Sequence, residues 1–265
     1  MKAKPGKPNL HHSIIYNTGV AIKTFWYWFL FLSLASAADW LNQGSVQKDE
    51  KQLTVANVHK LKLLWKRPLD STLTSPVMLG PIITHRGIKE LVFVAAASNT
   101  LYAVDADLGR VFWTRKFDGP GTLTATPAIA PYTNPNPNAE WSTPLRPIYV
   151  ATGDGMLHSV RASDGEDMDS PRNFLAPGAT PSGLIVSGKS VQVIEEKAPT
   201  TAQTNGIVFS VSSKLTATDA TGKQLYLSAE DIPAPIAPGG LAIANGHVCF
   251  AAAQTLYCFG IPFEI

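Results

Sequence analysis

The chain has 265 residues, with 22 Lys and Arg against 20 Asp and Glu, and only 16% of its residues are charged. This near-neutral balance argues against a nucleic-acid binder that relies on a general basic field, and the 45% hydrophobic content argues against a long disordered tail. Gly and Pro, at 20 each, favour many turns over long helices.

Residues 1–37 have the pattern of a secretory signal peptide. A segment with four lysines and no acid precedes an apolar run at 25–34, and the run ends in Ala35-Ser36-Ala37. The run is shorter than the roughly 20 apolar residues that span a bilayer. We therefore expect cleavage after Ala37, a periplasmic or secreted protein, and no membrane span in the mature chain. An uncleaved N-terminal anchor is the alternative.

Residues 38–265 form a series of short β-like runs separated by turn residues. In the clearest copy of a repeated unit, four runs at 75–78, 91–96, 101–105 and 111–113 are joined by short turns. Further units open at Thr126, Thr180 and Gly239, and residues 183–194 are a candidate for an additional blade. The repetition of four-stranded units predicts a β-propeller.

The last unit lacks a fourth strand, and residues 61–66 resemble the strand that is missing. If this N-terminal strand completes the C-terminal blade, the ring closes without an exposed edge. The predicted fold is thus all-β, a propeller of about four or five four-stranded blades occupying residues 38–265.

Cys249 and Cys258 lie near the C-terminus in a predicted hairpin. A two-residue turn at Ala253-Gln254 would place the two cysteines opposite each other, at a separation that a disulfide tolerates. Export favours oxidation, but two free, buried thiols are the other interpretation.

Other patterns carry little chemistry. The four histidines after residue 37 lack the spacing of a zinc site and are expected at the surface or in turns: His59, His85, His158 and His247. The Pro- and Asn-rich stretch 131–147 is expected to be a surface loop, either solvated or forming a lip over one face of the ring. We predict no catalytic or metal-binding residue.

The repeat resembles that of the pyrroloquinoline quinone (PQQ)-binding-like propellers, the quinoprotein alcohol dehydrogenase-like family. The resemblance is carried by residues 101–106 followed by the strand that ends at Trp113, and it extends over most of residues 39–261. It implies that Trp65, Trp113, Tyr102 and Tyr257 pack between blades rather than stack on a cofactor.

The family's catalytic members are rings about twice as long, which hold PQQ against a Trp and a disulfide of adjacent cysteines and bind calcium. Cys249 and Cys258 are nine residues apart, and the calcium ligands have no counterparts that we can place. We therefore expect a non-catalytic binding or scaffold module with a protein or envelope partner, or a homodimer if the ring is incomplete. The alternatives are a divergent or truncated PQQ-dependent alcohol or sugar dehydrogenase, using PQQ with calcium, and a scaffold of the outer-membrane barrel-assembly type.

Overall fold

The computed structural model describes residues 38–44, 47–131, 146–187, 190–197 and 200–262. The predicted signal peptide and residues 132–145 of the Pro-rich stretch lie outside the described residues. The described part is almost entirely β-structure, with one short 3-10 helix at Val58–Lys60. The all-β prediction is confirmed.

The strands form four four-stranded antiparallel sheets and one hairpin. β1 (Lys62–Pro68) comes first. Sheet 1 contains β2 (Val77–Thr84), β3 (Gly87–Ala96), β4 (Thr100–Asp105) and β5 (Val111–Lys116). Sheet 2 contains β6 (Ala128–Ile129), β7 (Pro147–Ala151), β8 (Met156–Arg161) and β9 (Asp167–Asn173).

The remaining strands form the hairpin and two further sheets. The hairpin is β10 (Gly183–Ser187) with β11 (Ser190–Ile194). Sheet 3 contains β12 (Thr201–Thr204), β13 (Ile207–Val211), β14 (Leu215–Asp219) and β15 (Gln224–Leu227). Sheet 4 contains β16 (Ile236–Ala244), β17 (His247–Ala252) and β18 (Thr255–Gly260), with β1 as its outermost strand.

The two ends of the described chain meet in sheet 4, as predicted. β1 pairs with β18 from Lys62 opposite Gly260 to Pro68 opposite Thr255. The side chains of β1 are exposed or half-buried, as in an edge strand, whereas β17 and most of β18 are buried on both faces. The N-terminal strand therefore completes the C-terminal blade.

The innermost strands bring the sheets together. β16 lies against β2 and β12, β2 lies against β6, and β6 lies against β10. Apolar side chains of these strands are buried between neighbouring sheets, with the largest cluster between sheets 4 and 3 and the start of sheet 1. This radial arrangement of four-stranded sheets is a β-propeller with four complete blades and one incomplete blade.

The residues before β1 form a strap, which we define as residues 38–44 and 47–53. The strap bonds to every blade in turn: Trp40 forms a bridge with Met78, the Leu41 carbonyl accepts from Ile129, and Gln47 N donates to the Gln203 carbonyl oxygen. The Gln43 side chain donates to the Glu196 carbonyl oxygen beside the hairpin (2.9 Å).

The strap ends on sheet 4. There the buried Glu50 carboxylate accepts backbone N–H bonds from Gln52, Leu53 and Gly246. The strap thus ties all blades together by backbone and side-chain hydrogen bonds, a role that the sequence did not suggest.

Two strand assignments differ from the prediction. Thr180 does not open the third four-stranded unit, because residues 183–194 form their own hairpin and β12 opens sheet 3 instead. β9, the fourth strand of sheet 2, was not recognised because its sequence is polar and contains Pro171, so it lacks the apolar alternation of a strand.

Candidate binding site at the incomplete blade

The hairpin leaves a sector of the ring open. On its inner side, Leu184 N donates to the Thr126 carbonyl oxygen (3.0 Å), and Thr126 forms a parallel bridge with Gly183. On its outer side, no strand pairs with β11 within the described ranges. We call this gap, together with the facing surfaces of sheets 2 and 3, the open sector.

The surface of sheet 2 in the open sector is polar. Tyr149, Ser159 and Asp169 are register partners on β7, β8 and β9 and therefore share one face. With Arg172 they line a cavity of about 280 Å³. The Ser159 hydroxyl donates to Asp169 Oδ2 (3.3 Å), and Arg172 is exposed. A phenol, a carboxylate and a guanidinium thus converge beside the hairpin.

Sheet 3 has one apolar and one polar face. Ala202, Phe209 and Ala217 are register partners buried against sheet 4. The alternate residues, which point the other way, are half-buried or exposed: Gln203, Val208, Ser210, Thr216 and Thr218.

A second cavity, of about 330 Å³, is lined by Gln203 and Val208 from sheet 3 and by Gln47 and Lys48 of the strap. Thr204 also lines this cavity, and its buried hydroxyl has no hydrogen-bond partner among the described residues. The face of sheet 3 that points away from sheet 4 is therefore polar and accessible.

Trp65 and Trp113 pack between blades. Trp65 Nε1 donates to the Ala106 carbonyl oxygen of sheet 1 (2.6 Å), and its ring covers Gly109, where an added Cβ would come within 2.5 Å of the indole. Trp113 repeats this contact on sheet 2, with a bond to the Ala162 carbonyl oxygen (3.0 Å) and its ring over Gly165. Since both glycines have positive φ and no side chain, the indoles fit against their backbone.

The two predicted tyrosines also pack in the core. Tyr257 is 5% exposed and stacks on Phe250, its register partner in sheet 4, with ring centroids 5.5 Å apart. Tyr102 is half-buried against the core cluster of sheet 4, and burial, then the neighbouring Asp70, raises the pKa of its phenol. Neither of them lines the open sector.

Cys249 and Cys258 are register partners on β17 and β18, on either side of the two-residue turn at Ala253-Gln254. The structure joins them in a disulfide, with Cα atoms 4.1 Å apart, and both residues are fully buried. The bond lies inside sheet 4, away from the open sector.

His247 was expected at the surface or in a turn, and this expectation was wrong, because the residue is buried in β17. Its imidazole is 9% exposed, between Glu90 Oε2 at 3.5 Å from Nδ1 and Asp107 Oδ1 at 3.5 Å from Nε2. Burial lowers the pKa of His247, but the two carboxylates outweigh burial and raise the pKa to about 9. At neutral pH a cation therefore links sheet 4 to two acids of sheet 1. The residues next to His247 in the sequence do not indicate this contact, since both acids come from another sheet.

His158, which was also expected at the surface or in a turn, is half-buried in β8. Its ring packs on Phe117 (centroids 4.7 Å apart), and burial lowers its pKa in spite of the nearby Asp154. Its buried Nε2 lacks a hydrogen-bond partner within the described residues.

The described residues do not fit the PQQ site that the sequence resemblance implies. Trp65 and Trp113 use their faces and indole N–H groups between blades, so neither offers a floor for a quinone. The disulfide is buried within a sheet. The described ranges contain no group of three His, Cys, Asp or Glu residues that could hold calcium.

The described ranges contain no helix long and apolar enough to cross a membrane. No protein-family model matches the sequence, and no curated protein matches it.

Several solved structures are similar to the chain. The chain is 16% identical to a europium-containing methanol dehydrogenase (TM-score 0.40), covering 75% of this chain and 32% of that one. It is 19% identical to the quinohemoprotein alcohol dehydrogenase from Comamonas testosteroni (TM-score 0.34; 71% and 26%). It is 11% identical to the glutaminyl cyclase from Myxococcus xanthus (TM-score 0.34; 77% and 97%). The chain thus spans about a third or less of the length of the two dehydrogenases, which it resembles at low identity.

Proposed function

We propose that this chain is a non-catalytic binding module of the PQQ-like propeller type, exported to the periplasm or beyond, which holds a protein partner of the cell envelope in its open sector. The proposal of export depends on the signal-peptide pattern of residues 1–37.

The incomplete blade is the observation that carries this proposal. A propeller buries the strand edges and faces of its blades against neighbours. Among the described residues, no strand covers the edge of β11 and the polar faces of sheets 2 and 3 are accessible, whereas Trp65, Trp113, the disulfide and the apolar clusters are used for packing. An accessible surface with hydrogen-bonding groups and a rigid surround is suited to holding a partner.

Photo-crosslinking tests where the partner binds. Benzoylphenylalanine replaces the exposed Gln203 in the open sector, and the matched control replaces the exposed Lys116 on the outer strand of sheet 1. We expect one adduct of defined mass from position 203 and none from position 116, and the adduct protein, once purified, should bind the mature chain directly. An adduct from position 116 alone would place the partner elsewhere and contradict the proposal.

An assay with PQQ tests the absence of catalysis. The mature chain is titrated with PQQ and calcium, and dye reduction is measured with alcohols and aldoses. We expect neither saturable binding nor turnover, and saturable binding with turnover would establish a dehydrogenase instead.

A further inference from the structure

β11 is an edge strand without the features that normally protect an edge. Monomeric proteins prevent unwanted pairing at an exposed edge with charged residues, proline or β-bulges. The five residues of β11, Ser190–Ile194, include no charge and no proline, and the register with β10 is regular throughout.

The outermost strands of the complete blades are different. β1, β5 and β9 each carry charged residues, and β1 and β9 also contain a proline. The pairing of all four outer strands, β15 included, is interrupted by an irregularity. Among the outermost strands that the structure describes, β11 is the one that lacks both charge and irregularity. This contrast indicates that the edge of β11 is available to pair with another strand.

The register shows which backbone groups the edge presents. Leu184 N donates to Thr126, away from β11, so Leu184 and its partner Val193 form a non-hydrogen-bonded pair. By alternation the same holds for Val186 and Val191. The N–H and C=O groups of Val191 and Val193 therefore point outward, away from β10.

The number of missing strands sets the width of the space beside this edge. Sheets 2 and 3 each have two more strands than the hairpin, so the incomplete blade lacks two strands, a width of about 10 Å. A single extended segment or a hairpin fits this width, whereas a second whole propeller does not.

We propose that an extended segment of a partner protein adds to β11 as the third strand of the incomplete blade. This inference rests on the proposed binding function and names the way in which the partner is held. The outward groups of Val191 and Val193 supply the backbone hydrogen bonds, as in other cases of strand addition.

The walls predict the side-chain pattern of the segment. Val191, Val193 and Tyr149 pack against one apolar cluster, and Tyr149 also borders the polar cavity of sheet 2. Every second residue of the segment continues the row of Val191 and Val193 toward that boundary, so it should combine an apolar body with a polar tip, as Tyr does. The residues between them face Ser210 and Thr216 of sheet 3 and should be polar. A segment with two-residue alternation fits both walls.

Peptide selection tests the proposal. A phage-displayed library of random dodecapeptides is selected on the full mature chain, and the selected peptides are synthesised. Bound peptides should slow hydrogen exchange at the Val191 and Val193 amides. Val193→Pro removes one outward N–H and should weaken binding by about tenfold or more, while Val193→Thr keeps the N–H and the shape and should bind normally.

Circular dichroism checks whether Val193→Pro folds. The hydrogen-exchange measurement uses the unmodified chain and therefore does not depend on the folding of that variant. Selected peptides that leave both amides unprotected, or a library that yields no binder, would overturn strand addition. If position 203 still crosslinks a partner in that case, the binding function stands and only its mode is wrong; if it does not, both fail.

Discussion

Trp65 Nε1 donates a hydrogen bond to the Ala106 carbonyl oxygen across the boundary between sheets 4 and 1, at 2.6 Å. Trp65 belongs to β1, whose backbone pairs with β18, so one strand both completes the last sheet and docks on the next. The closure of the ring therefore depends on contacts of β1 in two directions.

Gly109→Ala tests this docking. Its φ is +62°, and the new Cβ would meet the Trp65 ring, so we expect a loss of about 2 kcal/mol or more in the free energy of unfolding. Gly206→Ala is the matched control, since its φ is +73° but nothing lies within 4 Å of the added Cβ. Urea denaturation measures both variants. Equal losses of unfolding free energy in Gly109→Ala and Gly206→Ala would show that the clash with Trp65 adds no cost beyond the backbone strain.

His247→Gln should destabilise the protein in a pH-dependent way. Because the pKa of His247 is raised from 6.5 to about 9, its contribution is complete below pH 6.5 and disappears as pH rises through 9. We expect a loss of roughly 2 to 3 kcal/mol at pH 6 and a much smaller loss at pH 10.

His158→Gln is the comparison for that titration. Its pKa is lowered, chiefly by burial, so His158 costs stability as pH falls below 6.5, and the variant should gain relative to the parent in acid. Thermal unfolding from pH 5 to 10 measures both variants. A constant difference across this range for His247→Gln would contradict the charged contact with Glu90 and Asp107.

Removing the disulfide should weaken sheet 4. The cysteines enclose a short loop, with a separation of nine residues, for which chain entropy gives about 2 to 3 kcal/mol. Cys249→Ala with Cys258→Ala should lower stability by that order, partly through lost constraint on the unfolded chain. Because both cysteines are fully buried, a reductant should act on the native protein only through unfolding. Free thiols that are titrated in the denatured, unreduced protein would refute the bond.

Glu50→Ala should loosen the strap. The buried carboxylate accepts backbone bonds from its own loop and from Gly246 of sheet 4, and losing such bonds costs about 2 to 3 kcal/mol. The adjacent, exposed Asp49→Asn should change stability little. Limited proteolysis of the strap measures the effect, and equal cleavage of both variants would contradict this role of Glu50.

Local sequence patterns predicted the features that depend on local chemistry. Turn residues and apolar alternation placed Cys249 opposite Cys258, marked residues 183–194 as a candidate for an additional blade, and paired the first strand with the last sheet. The same patterns could not show that the hairpin stays at two strands, because that depends on what its neighbours leave open.

Features made by distant residues were missed for a physical reason. The strap has no periodicity, since its contacts pass from one blade to another along the chain, and β12 is a short, largely polar strand. His247 has no acid near it in the sequence, and its carboxylate partners come from another sheet.

Hydrogen exchange across residues 38–265 compares the closed and the open parts of the ring in one measurement. We predict slow exchange at the β1 amides that bond to β18, comparable with β17, and fast exchange at Val191 and Val193 on the free edge of β11. Fast exchange throughout β1, with protected amides at Val191 and Val193 in the isolated chain, would contradict both the closure of the ring and its open sector.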